Sequence, residues 1–199
     1  MTRPDPRTLL LVPTGTGVGL TSACLGLIRA LDTLGLKASF LRPFRQDEFN
    51  GPGPDRSTAL ARSTLGLTPP EPLPQMRVER LLRDDRIADL MEEAVARHTR
   101  VASGEGEARP DLVVVEGLVA SPQSSYAGQL NAELARALDA RVILVADGDL
   151  SDPRHLAEQL DIHAQPFDGA RSSRTLGCIL MRVRPLPETA STPPLAAPE

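Results

Sequence analysis

The stretch "LLLVPTGTGVGLTS", residues 9–22, decides the fold. Three leucines and a valine run without polar interruption from a start at residue 8. A strand buried on both faces has that pattern. "PTGTG" ends the run, and residues 21–34 then carry apolar side chains at helical spacing up to Gly35, a helix stop. Strand, glycine-rich turn and helix in this order make a phosphate-binding loop. Backbone N–H groups at a helix N-terminus point outward, and the helix dipole favours an anion there. Glycines at 15, 17 and 19 let the backbone wrap closely around phosphate oxygens. Thr21 puts a hydroxyl where such a loop binds Mg²⁺. The plainer alternative is a tight turn that merely uses glycine. One position departs from the pattern: Leu20 stands where these loops carry lysine.

Outward from the loop, short apolar runs alternate with helical patterns. Residues 38–41, 112–115, 142–145 and 176–180 read as strands. Residues 57–65, 78–82, 87–98, 126–138 and 153–160 read as helices, the last with Ser151 or Asp152 as its cap. Residues 44–75 are otherwise polar and rich in Gly and Pro, and "SGEGEARP", residues 103–110, reads as a surface turn. The expected fold is α/β, a three-layer arrangement of a parallel sheet with helices on both faces and right-handed crossovers. Sites in such sheets lie at the carboxyl ends of the strands. The glycine loop, Arg42, Glu116 and Asp147 all fall there.

Composition narrows the function. At 199 residues the chain fits one domain, with a Pro- and Ala-rich tail or linker over residues 184–199. A net charge of -4 and aromatics at 3% with no Trp argue against nucleic-acid and anionic-membrane partners. No run reaches the roughly 18 apolar residues of a membrane span, and the N-terminal apolar stretch is short for a secretory signal. Cys24 and Cys178 lie in apolar segments and read as buried free thiols of a reducing compartment. The expected location is cytoplasmic. Lys37 is the only lysine, so no other position offers one for catalysis. His98, His155 and His163 show no metal-ligand spacing.

Losing the loop lysine has a cost. A lysine about 4 Å from a phosphate contributes on the order of 4 kcal/mol of gross attraction near a surface. Net of desolvation, roughly 2–3 kcal/mol is lost, which is about 30- to 150-fold in affinity.

"PTGTGVGLTSACLGLIRAL" resembles the opening of the long form of phosphate acetyltransferase. The N-terminal domain of that family is in turn similar to dethiobiotin synthetase, a P-loop enzyme that activates carboxylates. The likeness continues through "FLRPFRQ", "GPDRSTALA", "VERLL", "LMEEAVARH", "DLVVVEGLV", "QLNAELARALDARVILVADG" and "LGCILMRV". It spans residues 7–183, and the Leu-Thr-Ser ending of the loop is specific to the acetyltransferase domain. The resemblance implies a P-loop NTPase fold over residues 1–183, without the acetyl-transfer and middle regulatory domains. It implies that Gly15, Thr16, Gly17, Val18, Gly19, Thr21, Ser22 and Arg42 surround a nucleotide or other anion. It also implies a metal set of Thr21, Asp55 and Glu116. Arg42 stands in place of a phosphate- or substrate-facing lysine. Met181 stands in place of the asparagine that reads the base, and a thioether cannot recognise an adenine edge. Simpler roles stand beside these: Thr21 as a helix-start residue, Asp55 as a turn or cap residue, Glu116 as a strand-end carboxylate.

The resemblance thus implies a domain with no catalytic residues of its own that steadies an oligomer and tunes acetyl-CoA/acetyl-phosphate interconversion. Its degenerate pocket would sense a small anionic effector, Mg-ATP bound weakly or another metabolite. Its partners would be an acetyltransferase catalytic domain or subunit and further copies of the chain. Two alternatives stay open: an ATP-dependent carboxylate-activating enzyme of the dethiobiotin synthetase type, and a structural interaction module without a ligand.

Overall fold

The computed structural model describes residues 5–51, 53–104, 108–148, 153–169 and 172–183. Residue sides alternate along the central strand, and that alternation divides the core. In β1 (Arg7–Pro13) Leu10 and Val12 face one layer of helices while Leu11 faces the other. After it come α1 (Leu20–Thr33), β2 (Ala38–Leu41), α2 (Asp47–Asn50), α3 (Arg56–Leu65), α4 (Gln75–Arg83) and α5 (Ile87–Ser103). Next are β3 (Leu112–Glu116), α6 (Ala127–Ala137), β4 (Arg141–Asp147) and α7 (Pro153–Ala164). A short antiparallel pair, β5 (Asp168–Gly169) with β6 (Ser172–Ser173), precedes β7 (Thr175–Met181).

Five strands form a parallel sheet in the order β2-β3-β1-β4-β7. Val113, Val115, Val142 and Leu144 join Leu10 against α4, α5 and α6, with Leu81, Leu90, Leu130 and Leu134 filling the layer. Phe40, Val114 and Val145 join Leu11 on the opposite face, under α1 and α3, with Cys24, Ile28 and Ala61. The expected three-layer α/β architecture is present. Register then sets the site. Leu11 pairs with Glu116 and Pro13 with Val145, so the strands on either side of β1 end beside the glycine loop.

Differences from the sequence reading are local. The first helix begins at Leu20, and α5 runs to Ser103, so the turn after it starts at Gly104 in the left-handed conformation. Residues 105–107, the cap expected at Ser151 or Asp152, and the tail over 184–199 lie outside the described residues. The four-residue α2 was not expected. It is too short for a periodicity signal, and Arg45 holds it by donating to Asp47 (2.5 Å) and to the carbonyls of Gly51 (2.8 Å) and Gly53 (2.7 Å). The hairpin of β5 and β6 also lacked a signal at two residues per strand. Of the two cysteines, Cys24 is buried, whereas Cys178 is exposed because β7 is the last strand of the sheet. Leu176 (55% exposed) lies on the same strand. Among the described residues no helix is long and apolar enough to cross a membrane.

The segment after β3 is held by two buried amides. Asn131 accepts from the N–H of Leu118 and donates to its carbonyl, both at 2.8 Å. Gln46 does the same for Val119, again at 2.8 Å in each direction. Gly117 donates to Leu11 O at 2.9 Å. A β-carbon at this position would lie 2.8 Å from Leu11 O and 2.9 Å from Asn131 Oδ1, so only glycine fits. Truncating Asn131 to alanine strands both polar groups of Leu118 in the interior. Asn131→Ala should lower unfolding free energy by about 2–3 kcal/mol, as measured by urea denaturation.

Candidate functional site

The glycine loop is seated on the sheet by Thr14, whose N–H donates to Val145 O at 2.9 Å. Gly17 (φ 68) and Gly19 (φ 88) take left-handed backbone conformations that only glycine adopts freely. Gly19 is the cap residue of α1 and supplies no side-chain cap, and the first turn holds no acidic residue. The first intrahelical bond runs from Ala23 N–H to Gly19 O at 2.9 Å. The N–H groups of Leu20, Thr21 and Ser22 are therefore left without an intrahelical acceptor, at the positive end of the helix dipole.

A cavity of about 390 Å³ opens in front of these groups. Gly15, Gly17, Val18, Gly19, Thr21, Ser22, Arg42 and Glu116 all line it. Thr16 is exposed and outside the lining, and Asp55 lies buried beneath it. Asp147 is apart from this group, in a surface pair with Arg182 at 2.5 Å. Leu20, at the lysine position, opens α1, packs into the core on one side and borders the same cavity on the other. Met181, at the base-reading position, packs over the loop, its Cε 3.3 Å from where a β-carbon on Gly19 would sit.

The cavity floor is ionic. Arg42, only 5% exposed, follows β2 and donates through Nη1 to Glu116 Oε1 (2.5 Å) and Ser57 Oγ (2.6 Å), and through Nε to Phe44 O (3.3 Å). Its Nε also stands 3.4 Å from Asp55 Oδ2. Asp55 caps α3 by accepting from Thr58 N–H at 2.9 Å. Glu116 Oε1 accepts two further bonds, from Ser57 Oγ at 2.8 Å and Thr21 Oγ1 at 3.2 Å. Its other oxygen, Oε2, is buried without a hydrogen-bond partner. Burial pushes the Glu116 carboxyl up from its ordinary value, against the downward pull of the Arg42 guanidinium. Burial, with Glu116 nearby, likewise pushes the Cys24 thiol well up, so it is an inert core group.

Sequence reading brought together Thr21, Arg42, Asp55 and Glu116, which do meet. It passed over Ser57, the shared partner of Arg42 and Glu116, because a serine inside a helical pattern carries no distinguishing signal. It also passed over Arg56, which lines the cavity and makes no side-chain ion pair among the described residues. Its signal was its place directly after the capping Asp55. Phe49 and Asn50 of α2 complete that wall. His98 is elsewhere, 2.9 Å from Thr8 Oγ1. Among the described residues no three His, Cys, Asp or Glu side chains gather as a metal cluster.

The raised Glu116 carboxyl links this floor to pH. The folded chain binds that proton more tightly than the unfolded chain does. The resulting stability is complete below the ordinary value of 4.5 and is lost as pH rises through the raised one. Comparing Glu116→Gln with the parent chain by urea denaturation across this range should show the difference moving steadily in the variant's favour as pH rises.

Residues 7–192 match the family described as AAA domain. The chain is 46% identical over 189 residues to a phosphate acetyltransferase of Acinetobacter baylyi, covering 94% of this chain and 25% of the relative. To phosphate acetyltransferases of Pseudomonas aeruginosa and Escherichia coli it is 43% and 35% identical, covering 89% and 94% of this chain and 24% and 26% of those proteins. The chain thus spans about a quarter of the length of these relatives. Among solved structures, the signal recognition particle receptor FtsY from Elizabethkingia anophelis superposes with a TM-score of 0.54 at 16% identity, covering 81% of this chain and 48% of that one. The signal recognition particle 54 kDa protein from Aeropyrum pernix gives 0.51 at 16% identity, covering 82% and 34%. At that identity the likeness shows the fold alone.

Proposed function

We propose a function from one premise: the chain belongs to the AAA domain family and matches the N-terminal part of phosphate acetyltransferases. It acts as a regulatory, oligomer-steadying domain of acetyl-CoA/acetyl-phosphate interconversion, in the cytoplasm. Its partners are an acetyltransferase catalytic domain or subunit and further copies of itself. The cavity at the glycine loop senses a small anionic metabolite and does not turn a nucleotide over.

One observation carries this reading: both positions that a working nucleotide loop fills with polar contacts are filled with packing. Leu20 is core, and Met181 lies over Gly19. Phosphoryl transfer depends on charge clamps around the transferred group, and the loop clamp is missing. What remains, an uncapped helix N-terminus and the guanidinium of Arg56, suits weak binding that differs between two states of an assembly. A second reading, a carboxylate-activating enzyme, draws on the contact of Thr21 Oγ1 with Glu116, the pairing a loop hydroxyl makes beside a metal-side carboxylate.

Calorimetric titration with Mg-ATP, beside a hydrolysis assay and the Thr21→Ala variant, separates the two. The expected outcome is binding about 30- to 150-fold weaker than a micromolar site, no hydrolysis above background, and no acetyl phosphate from acetyl-CoA with this chain alone. Micromolar binding that Thr21→Ala abolishes, together with turnover, would establish the enzyme instead.

A further inference from the structure

We infer that β7 pairs with β7 of a second copy of the chain, the two strands running antiparallel about a twofold axis, so that two five-stranded sheets join into one. The inference rests on the self-association reading above and names the surface that carries it.

The two margins of the sheet are built differently. At one margin all four residues of β2 are buried. At the other, none of the seven residues of β7 is buried, and no residue of α7 is either. Strand edges that must stay single are blunted with charge or proline. The sequence of β7, TLGCILM, holds neither. The arginines that flank it are turned onto their own copy, Arg174 to Asp139 at 2.7 Å and Arg182 to Asp147 at 2.5 Å.

The ladder fixes which groups this edge offers. Gly148 N–H donates to Met181 O at 2.6 Å, so Met181 bonds toward β4. Parallel pairing alternates from there. Over the regular run 177–181, set against 143–147, Gly177, Ile179 and Met181 bond to β4. The N–H and C=O groups of Cys178 and Leu180 point away from it, and no further strand meets them among the described residues. Leu176 is the extra residue of a bulge and stands outside this alternation. Cys178 and Leu180 lie opposite Leu144 and Ala146 in the register, so both side chains share one face of the sheet.

The run is complementary to itself. Turned antiparallel about Ile179, it sets Cys178 opposite Leu180 of the partner subunit and Leu180 opposite Cys178 of the partner subunit. About four main-chain hydrogen bonds close between these outward groups. The side-chain pairs are apolar, and no charge meets a like charge. Residues 184–199 of the same chain cannot serve as that strand, because prolines at 185, 187, 193, 194 and 198 remove backbone donors along it. A stable dimer covers about 800 Å² on each partner. A ladder this short covers less, which sets the dissociation constant on the order of 10–100 µM.

The test is sedimentation velocity on the whole chain with reductant present, from about 1 µM to about 300 µM. The expected result is a monomer–dimer equilibrium. Raising the concentration should slow amide exchange at Cys178 and Leu180, read by nuclear magnetic resonance, while Ile179 and Met181 are already protected in the monomer. Cys178→Lys, at an exposed position that leaves the fold intact by circular dichroism, should weaken the dimer at least about tenfold. Met76→Lys, at an equally apolar position of α4 that is 81% exposed, should leave it within about twofold. Leu180→Cys sets two thiols across the ladder with their Cα atoms about 5.5 Å apart, inside disulfide range. It should cross-link under copper phenanthroline at least about tenfold faster than the parent chain, with buried Cys24 unreactive. A dimer that Cys178→Lys leaves intact, or one in which the Cys178 and Leu180 amides exchange as in the monomer, would overturn this inference and leave self-association standing. A monomer at every concentration would overturn the self-association reading with it.

Discussion

A guanidinium buried between two carboxylates governs this molecule. Arg42 comes from the end of β2, Asp55 from the start of α3 and Glu116 from the end of β3, and Thr21 of α1 bonds the same carboxylate. Four segments distant in sequence meet at one charge cluster. None of them can move alone, because leaving one buried charge unpaired costs about 3–5 kcal/mol. The cluster is also the floor of the cavity, so one set of contacts sets both the spacing of the strand ends and the electrostatics in front of the loop. The two amides, Gln46 and Asn131, extend that fixity by bonding the backbone that follows Glu116.

The sheet was legible because a doubly covered parallel strand must be apolar throughout. The runs at β1, β3 and β4 announce themselves in that way. Glycines at 15, 17 and 19 marked the loop for an equally physical reason: two of them hold positive φ. Asp55 was legible as a cap and is one. What the sequence hid depends on partners. Arg42 displays its charge but not its carboxylates. Gln46 and Asn131 sit in polar stretches and look solvated, yet they are among the most buried polar groups. Cys178 lies in an apolar run like that of a central strand, and only the strand order reveals that it borders solvent. Short elements such as α2 have no period to read.

The loop illustrates how a binding feature can be kept in backbone while its side chains are respent on packing. Leu20 and Met181 contribute to burial where a nucleotide site would present an ammonium and an amide. The helix N-terminus needs no particular side chain to attract an anion. The anion site proposed here rests on that backbone and not on either of those two side chains.

The sheet ends at β7, and no strand pairs with its far side among the described residues. Leu176 lies open on that strand, with the exposed thiol of Cys178. An unpaired edge with apolar side chains is a template for another chain. In colloidal terms this border is where molecules of the isolated polypeptide would first adhere in concentrated solution. An oxidising buffer would turn such an encounter into a covalent dimer, so dilution and a reductant are the conditions under which the single chain keeps its own company.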